Sequence, residues 1–585
     1  MKTRILNQIN SNSIGSFLFV PLFTLFSFIS AAQGTWTVVT TAPHTSGGNM
    51  LVLSDGRIMC KSESGGTNGN VWDLLKPDSK GDYSKGTWTS TSAMKDDRLY
   101  FSSQMLMDGR IYVAGGEYGS GKSTAEVYDA LTNIWTSCPA VGATVSDANS
   151  AILEDGKVLQ ALVAGTLKGT KIWDPKTNTY AAGPSCLGIH NESTWVKLPD
   201  NSILQVDRNA NSSERYIPSQ NKWVADATVP VSLYDPYGLE SSGAVLLPDG
   251  RSIWFGSLGF AAVYTPSGTA SPGTWAKIPD MPGGAPDGVV AMMVDGKILL
   301  NTSDAPTSSQ HFPSPTTLYE YDYKTQIYTA VPAPAGGSTI NSPCYTMSMV
   351  DLPDGRVMFS QQGSSKYYVY QPTGAPLVAG KPKIDKLLVT QNGPNCTYKL
   401  TGTQFNGISE GACYGDDVQM ASNYPIIRLT SEANQNVYYA RTFNWNSTGV
   451  LRGTKPDTTN FTLPAGLPAG TYSLVVTANG IASDPISFST CGLTEINEAD
   501  NSNNNISVYP IPAAETSTLR LFSDNGGYYT FTMHDLLGKT VKEETYYAVP
   551  GDNSYVVNFD QTIKGLYMIT LQKGDEVMNT KIMVK

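Results

Sequence analysis

The 585-residue sequence predicts an all-β chain: a seven-bladed β-propeller, then an immunoglobulin-like β-sandwich, then a small second β-sandwich. Three observations carry that expectation. A short apolar run, an Asp-Gly or Asp-Asn pair and another apolar run recur seven times, with the aspartates at 55, 108, 155, 200, 249, 295 and 354. Their spacing of 45 to 59 residues is that of a propeller blade. After most hairpins comes an aromatic strand, a turn and another aromatic, as in Val127-Tyr-Asp-Ala-Leu-Thr-Asn-Ile-Trp135 and Ile172-Trp-Asp-Pro-Lys-Thr-Asn-Thr-Tyr180. Beyond Lys381 the blade pattern stops, and short alternating strands replace it.

Residues 1–32 read as a signal peptide. Lys2 and Arg4 precede an apolar stretch from Ile14 to Ile29, and Ser30-Ala-Ala32 fits cleavage after Ala32; a membrane anchor is the alternative. The propeller is assigned to 33–378. Each Asp-Gly is expected to supply positive backbone dihedrals for a tight turn between two antiparallel strands. The seventh copy, Tyr368-Val-Tyr-Gln-Pro-Thr-Gly, lacks a closing Trp strand, whereas Gly34-Thr-Trp-Thr-Val-Val stands alone before the first hairpin. The N-terminal strand is therefore expected to complete the last blade and close the ring. Residues 379–491 form the sandwich, 492–505 a Glu/Asn/Ser-rich linker and 506–585 the last domain.

The net charge of −10 argues against nucleic acid as a partner. Seven cysteines without a CxxC pair argue against zinc, and their odd number leaves at least one thiol unpaired in an exported chain.

The repeats resemble kelch-type repeats in the divergent form of galactose oxidase and glyoxal oxidase propellers. Leu400-Thr-Gly-Thr-Gln-Phe-Asn-Gly and Leu467-Pro-Ala-Gly-Thr-Tyr-Ser-Leu-Val-Val resemble the early-set domain that follows such propellers. Val508-Tyr-Pro-Ile-Pro, His534-Asp-Leu-Leu-Gly-Lys, Lys564-Gly-Leu-Tyr-Met-Ile-Thr and Lys581-Ile-Met-Val-Lys585 resemble the type A sorting domain of type IX secretion. That resemblance implies handling by the type IX machinery and delivery to the surface or exterior of a Gram-negative cell. A monomer is expected.

The oxidase resemblance raises copper-radical chemistry, which requires a crosslinked Tyr–Cys pair, an axial tyrosine and two histidines. Arg98-Leu-Tyr-Phe-Ser-Ser-Gln matches the segment of the crosslinked tyrosine at Tyr100, and Tyr345-Thr-Met-Ser matches that of the axial tyrosine at Tyr345. Thr346 stands where the adjacent histidine belongs. Thr45-Ser-Gly-Gly48 replaces the cysteine, and Thr442-Phe-Asn places Phe443 at the second imidazole. His44, His190 and His311 are the histidines outside the last domain; the first two precede inner strands and approach the channel on this reading. Copper is not expected.

Each blade's innermost strand starts at the channel mouth, so a fixed distance before the Asp-Gly turn locates the rim. Eight positions back gives Gly47, Tyr100, Asp147, Glu192, Ser241, Asp287 and Thr346; one earlier adds Glu240 and Tyr345. At about 8 Å and an effective dielectric near 20, each carboxylate pair repels by about 2 kcal/mol. Such a cluster binds a cation, pairs with Arg98 or Arg208, or holds a proton. The candidate ligand site is Tyr100, Asp147, Glu192, Glu240, Asp287 and Tyr345, with carboxylates accepting hydroxyls and tyrosines stacking on a sugar face. The bland alternative is a solvated polar rim. In the second domain Asp416 and Asp417, with Asn423, are candidate calcium ligands, or turn residues with Arg441 as ion partner. The function expected is exported binding of carbohydrate or another surface ligand; a secreted oxidase with an altered site, or a carboxylate-dependent hydrolase or lyase, is the alternative.

Overall fold

A computed structural model describes residues 33–43, 47–62, 68–163, 168–392, 395–411, 413–414, 423–490, 506–509, 511–535, 538–559, 564–574 and 576–585. His44, Asp416, Asp417, Cys491 and the signal segment lie outside the described residues. The chain divides into two units, at Leu493 and Thr494.

In the first unit seven antiparallel sheets follow one another in sequence, five of four strands and two of five. The first strands of successive blades, such as Ser150–Ile152, Thr194–Lys197 and Ala244–Leu246, touch their counterparts in the next blade, which places them innermost. They are buried at every position, whereas outer strands such as Thr87–Ser90 and Thr179–Ala182 are mostly exposed. The N-terminal strand Thr35–Val38 pairs antiparallel with Tyr368–Gln371 and supplies the outer strand of the seventh blade. The ring closes as the unpaired Trp36 strand requires.

Polar side chains stitch neighbouring blades near the axis. Ser102 donates to Gln160 Oε1 at 2.9 Å, the Thr194 and Ser241 hydroxyls lie 2.8 Å apart, Asn301 Nδ2 donates to the Cys344 carbonyl at 3.1 Å, and Asn149 donates to the Ser193 carbonyl. Such groups are buried only because each finds a partner.

The hairpins differ from the expectation in one respect. In the first, Gly56 N–H donates to Leu53 O and Leu53 N–H to Arg57 O, and only Gly56, at φ 75°, is left-handed. This is a three-residue loop with a left-handed glycine after the turn, not one needing two positive dihedrals. The aspartate is retained for another reason: Asp55 Oδ1 accepts the Arg57 N–H at 3.1 Å while Oδ2 accepts its guanidinium at 2.6 Å. Asp108–Arg110, Asp249–Arg251 and Asp354–Arg356 repeat that clasp. The second motif has a similar logic. Tyr128, Trp173 and Tyr216 each donate to the Asn five residues on, and Asn133, Asn178 and Asn221 are all left-handed.

The rest of the first unit is an eight-stranded antiparallel sheet running from Lys383–Asn392 to Ile486–Ser489. Tyr398, near one end of the strand order, has its ring 5.5 Å from that of Phe488 near the other, so the sheet curls over a shared core with Leu400, Leu429 and Leu474. Cys396 is disulfide-bonded, and Cys60, Cys138, Cys186 and Cys344 are free thiols.

The second unit packs a three-stranded sheet and a four-stranded sheet around Leu519, Leu521, Phe531, Ile569 and Ile582. Alternation is regular: along Thr516–Ser523 every second side chain is buried. No helix among the described residues is long and apolar enough to cross a membrane.

Candidate functional site

The ring predicted from the Asp-Gly spacing is joined by main-chain hydrogen bonds. Glu192 N–H donates to Asp147 O at 3.3 Å, Ser241 N–H to Glu192 O at 3.0 Å, and Asp287 N–H to Ser241 O at 3.2 Å. Positions eight residues before each turn are therefore in register from blade to blade. Tyr100, Asp147, Glu192 and Asp287 are also all left-handed, with φ between 44° and 55°. That backbone costs a non-glycine residue about 1–2 kcal/mol, and its repetition shows how tightly the chain turns into each inner strand.

The four carboxyl groups meet in pairs. Asp147 and Glu192 share a side-chain hydrogen bond, as do Glu240 and Asp287. Burial raises the carboxyls of Asp147 and Glu240 far above the carboxylate range, and the acids around them raise them further. The largest influences on both side chains all push in that direction. Asp147 is 5 % and Asp287 4 % exposed. Asp147 Oδ1 and Glu240 Oε2 are buried without a hydrogen-bond partner.

Aromatic rings complete the circuit. The Tyr100 ring meets Tyr118 edge-on at 6.0 Å and Tyr345 edge-on at 6.5 Å, and Tyr345 meets Phe312 at 5.0 Å. Glu117 raises the Tyr118 phenol, and Asp147 and Glu192 lie near enough to add to it. On the far side, the space beside Gly238 is bounded by Asp235, His311 and Glu240. His311 Nδ1 stands 3.9 Å from Asp235 Oδ2, with the Tyr237 ring 6.4 Å away. Asp235 shapes that loop by accepting the Tyr237 and Gly238 N–H groups.

Tyr118, His311 and Phe312 were missed by the fixed-distance ruler. They sit between second and third strands of their blades, where loop length varies and the Asp-Gly turn measures nothing. Gly115-Gly-Glu-Tyr118 was the available signal, since Tyr118-Gly119 pairs with Arg98-Leu99 beside Tyr100.

Several expectations are corrected. Arg98 does not neutralise the rim: it is fully buried, 3.0 Å from Glu126, and donates to three main-chain carbonyls of its own blade. Arg208 donates to the Leu239 carbonyl and braces the loop before Glu240. His190 lies inside its blade, bonded to Glu214 at 2.7 Å and to the Trp195 indole, rather than at the channel.

Phe443 does not stand where an inserted imidazole would. Thr442 N–H donates to Ser54 O and Arg441 Nη2 donates to Asp108 O at 2.6 Å, which puts this segment against the Asp-Gly turns, at the opposite end of the inner strands from the rim. The segment that enters the channel is another. Glu410-Gly411 pairs with Leu246 and Val245, and Cys413-Tyr414 with Trp195 and Thr194, adding a strand to the inner edges of two blades. Lys197 Nζ binds Glu410 Oε1 at 3.1 Å along this path. Tyr414 pairs with Thr194, two residues from Glu192.

The residues present do not fit copper. The Tyr100 phenol donates to Gln362 Oε1 at 3.3 Å, and Thr346, in place of the imidazole, donates its hydroxyl to Pro343 O at 2.8 Å. No group of three or more His, Cys, Asp or Glu among the described residues has metal-holding geometry.

Comparison with known proteins bears on the propeller and on the last domain. Residues 507–585 match the secretion system C-terminal sorting domain, and residues 106–142 match the kelch motif. The F-box/kelch-repeat protein SKIP30 of Arabidopsis thaliana is 31 % identical over 153 residues, which cover 24 % of this chain and 41 % of that protein. Among solved structures, a fungal alcohol oxidase of the AA5 family in complex with copper is similar with a TM-score of 0.48 and 14 % identity, covering 78 % of this chain and all of that one. A structure of YjhT is similar with a TM-score of 0.34 and 13 % identity, over 50 % of this chain and 99 % of that one. The chain is a kelch-type propeller protein ending in a type IX sorting domain. It is handled by the type IX machinery and delivered to the cell surface or extracellular space of a Gram-negative bacterium.

Proposed function

We propose that the channel mouth binds a polyhydroxylated ligand, a carbohydrate of the cell surface or surroundings, without copper-radical chemistry. The observation that supports this reading is the circuit itself: carboxyl groups of Asp147, Glu192, Glu240 and Asp287 on one arc, rings of Tyr100 and Tyr345 on the other. Carboxyl oxygens accept hydroxyl hydrogens, and tyrosine faces stack on the apolar face of a pyranose. A carboxylate-dependent glycan hydrolase is less well supported. Neither Asp147–Glu192 nor Glu240–Asp287 suits its acid pair, because partners in direct hydrogen-bond contact stand closer than the about 5 Å that chemistry needs.

A glycan array probed with the full chain tests the proposal. Binding lost in Asp147→Ala and in Tyr345→Ala, with the fold retained, is the expected result. Binding that survives both substitutions removes the ligand from this mouth.

A further inference from the structure

The site has acceptors to spare. Asp147 Oδ1 and Glu240 Oε2 are buried and unpartnered, on opposite carboxyl pairs. Leaving a buried acceptor unpaired costs about 1–3 kcal/mol, which a donor on the ligand recovers. The largest causes acting on both side chains are burial and other acids. Around the same space Tyr100 meets Tyr118 and Tyr345 edge-on, and the Tyr118 phenol lies close enough to Glu117, Asp147 and Glu192 to feel their charge.

We infer that the ligand carries a primary ammonium beside its hydroxyls, as a hexosamine with a free amine does. This rests on the carbohydrate reading of the mouth and narrows it. An ammonium brings three N–H donors and a positive charge, so one group meets the orphan oxygens and the tyrosine faces together. A neutral hydroxyl brings one donor and no charge, and an acidic sugar meets four carboxyl groups. Because Asp147 and Glu240 hold protons in the free protein, an ammonium entering between the pairs releases proton to solvent; the carboxyl loses H⁺ and the amine stays protonated.

Three probes share a β-1,4-linked glucose backbone and differ only at C2: the glucosamine tetramer, its fully N-acetylated form, and cellotetraose. Calorimetric titration of the full chain with each, in two buffers of different ionisation enthalpy, reads affinity and proton release at once. The expected result is that the glucosamine tetramer binds about tenfold tighter than cellotetraose, with proton release for the amine alone. In Glu240→Gln the preference for the amine over the hydroxyl probe shrinks. Equal affinity for the amine and the hydroxyl probe, or no proton release, overturns the inference and leaves the carbohydrate reading standing. If none of the three binds, both fall together.

Discussion

Asp147 and Glu192 come from adjacent blades, both turn through the left-handed region, and they are tied twice: once from Glu192 N–H to Asp147 O and once between their carboxyl groups. The main-chain bond fixes the distance between the two blades at the mouth, so the carboxyls cannot separate to escape each other. Protonation relieves the repulsion.

Stability should therefore fall as pH rises. The folded-state pKa values of Asp147 and Glu240 are raised above those of the unfolded chain, so the folded protein holds more protons than the unfolded one once pH exceeds about 4. The stabilisation is complete below that pH and is lost progressively as pH climbs toward the raised values. Urea midpoints measured between about pH 5 and about pH 8 should decline, and the Asp147→Asn, Glu240→Gln double variant should flatten the decline. A midpoint that rises over this range contradicts the assignment.

Arg98 belongs to the fold rather than to the ligand. Its side chain is wholly buried against Glu126, which is 1 % exposed. Glu126→Ala leaves the buried guanidinium only Asp96, 3.5 Å away, as a countercharge and should cost about 3 kcal/mol in urea unfolding. A loss under about 1 kcal/mol would return Arg98 to the list of charges free to serve the rim.

Two left-handed glycines separate backbone strain from crowding. At Gly337, φ 83°, an added Cβ meets nothing within 4 Å, so Gly337→Ala should cost about 1 kcal/mol. At Gly109, φ 79°, the Cβ falls 2.8 Å from Thr442 O and 2.9 Å from Arg441 Nη2. Gly109→Ala should cost about 1–3 kcal/mol more, because the turn must withdraw from the second domain. Equal losses in thermal unfolding would show that this contact is loose.

Restoring histidines should not restore an oxidase. Thr346→His with Phe443→His places the second imidazole among the hairpin turns, at the far end of the inner strands from Tyr100 and Tyr345. The double variant should show no Cu(II) absorption band involving tyrosine and no hydrogen peroxide from galactose, glyoxal or simple alcohols with added copper. Peroxide above the parent's background would place Phe443 at the mouth after all.

The ring was legible in the sequence because a strand's length is a ruler. Inner strands leave the rim at a common level and end at a common turn, so one offset reached Tyr100, Asp147, Glu192 and Asp287 in four different blades. Phe443 was misplaced because a match of three local residues says nothing about which segment is long enough to enter the channel. Glu410 to Tyr414 does so by adding main-chain bonds to two inner strands, and main-chain pairing leaves little mark on side-chain choice. His311 was counted but not located, since its loop is anchored by Asp235 and Phe312 rather than by any repeat.

Thr35–Val38 is among the first parts of the ring to be synthesised, and Tyr368–Gln371 among the last. Every blade between them can form while the ring still gapes, with a bare strand edge on each side of the break. A chain cut short anywhere before Tyr368 cannot hide either edge, whatever the quality of its other blades. Completeness is thus something a protease or chaperone can feel on the surface: the finished propeller has no loose seam, and every fragment of it does.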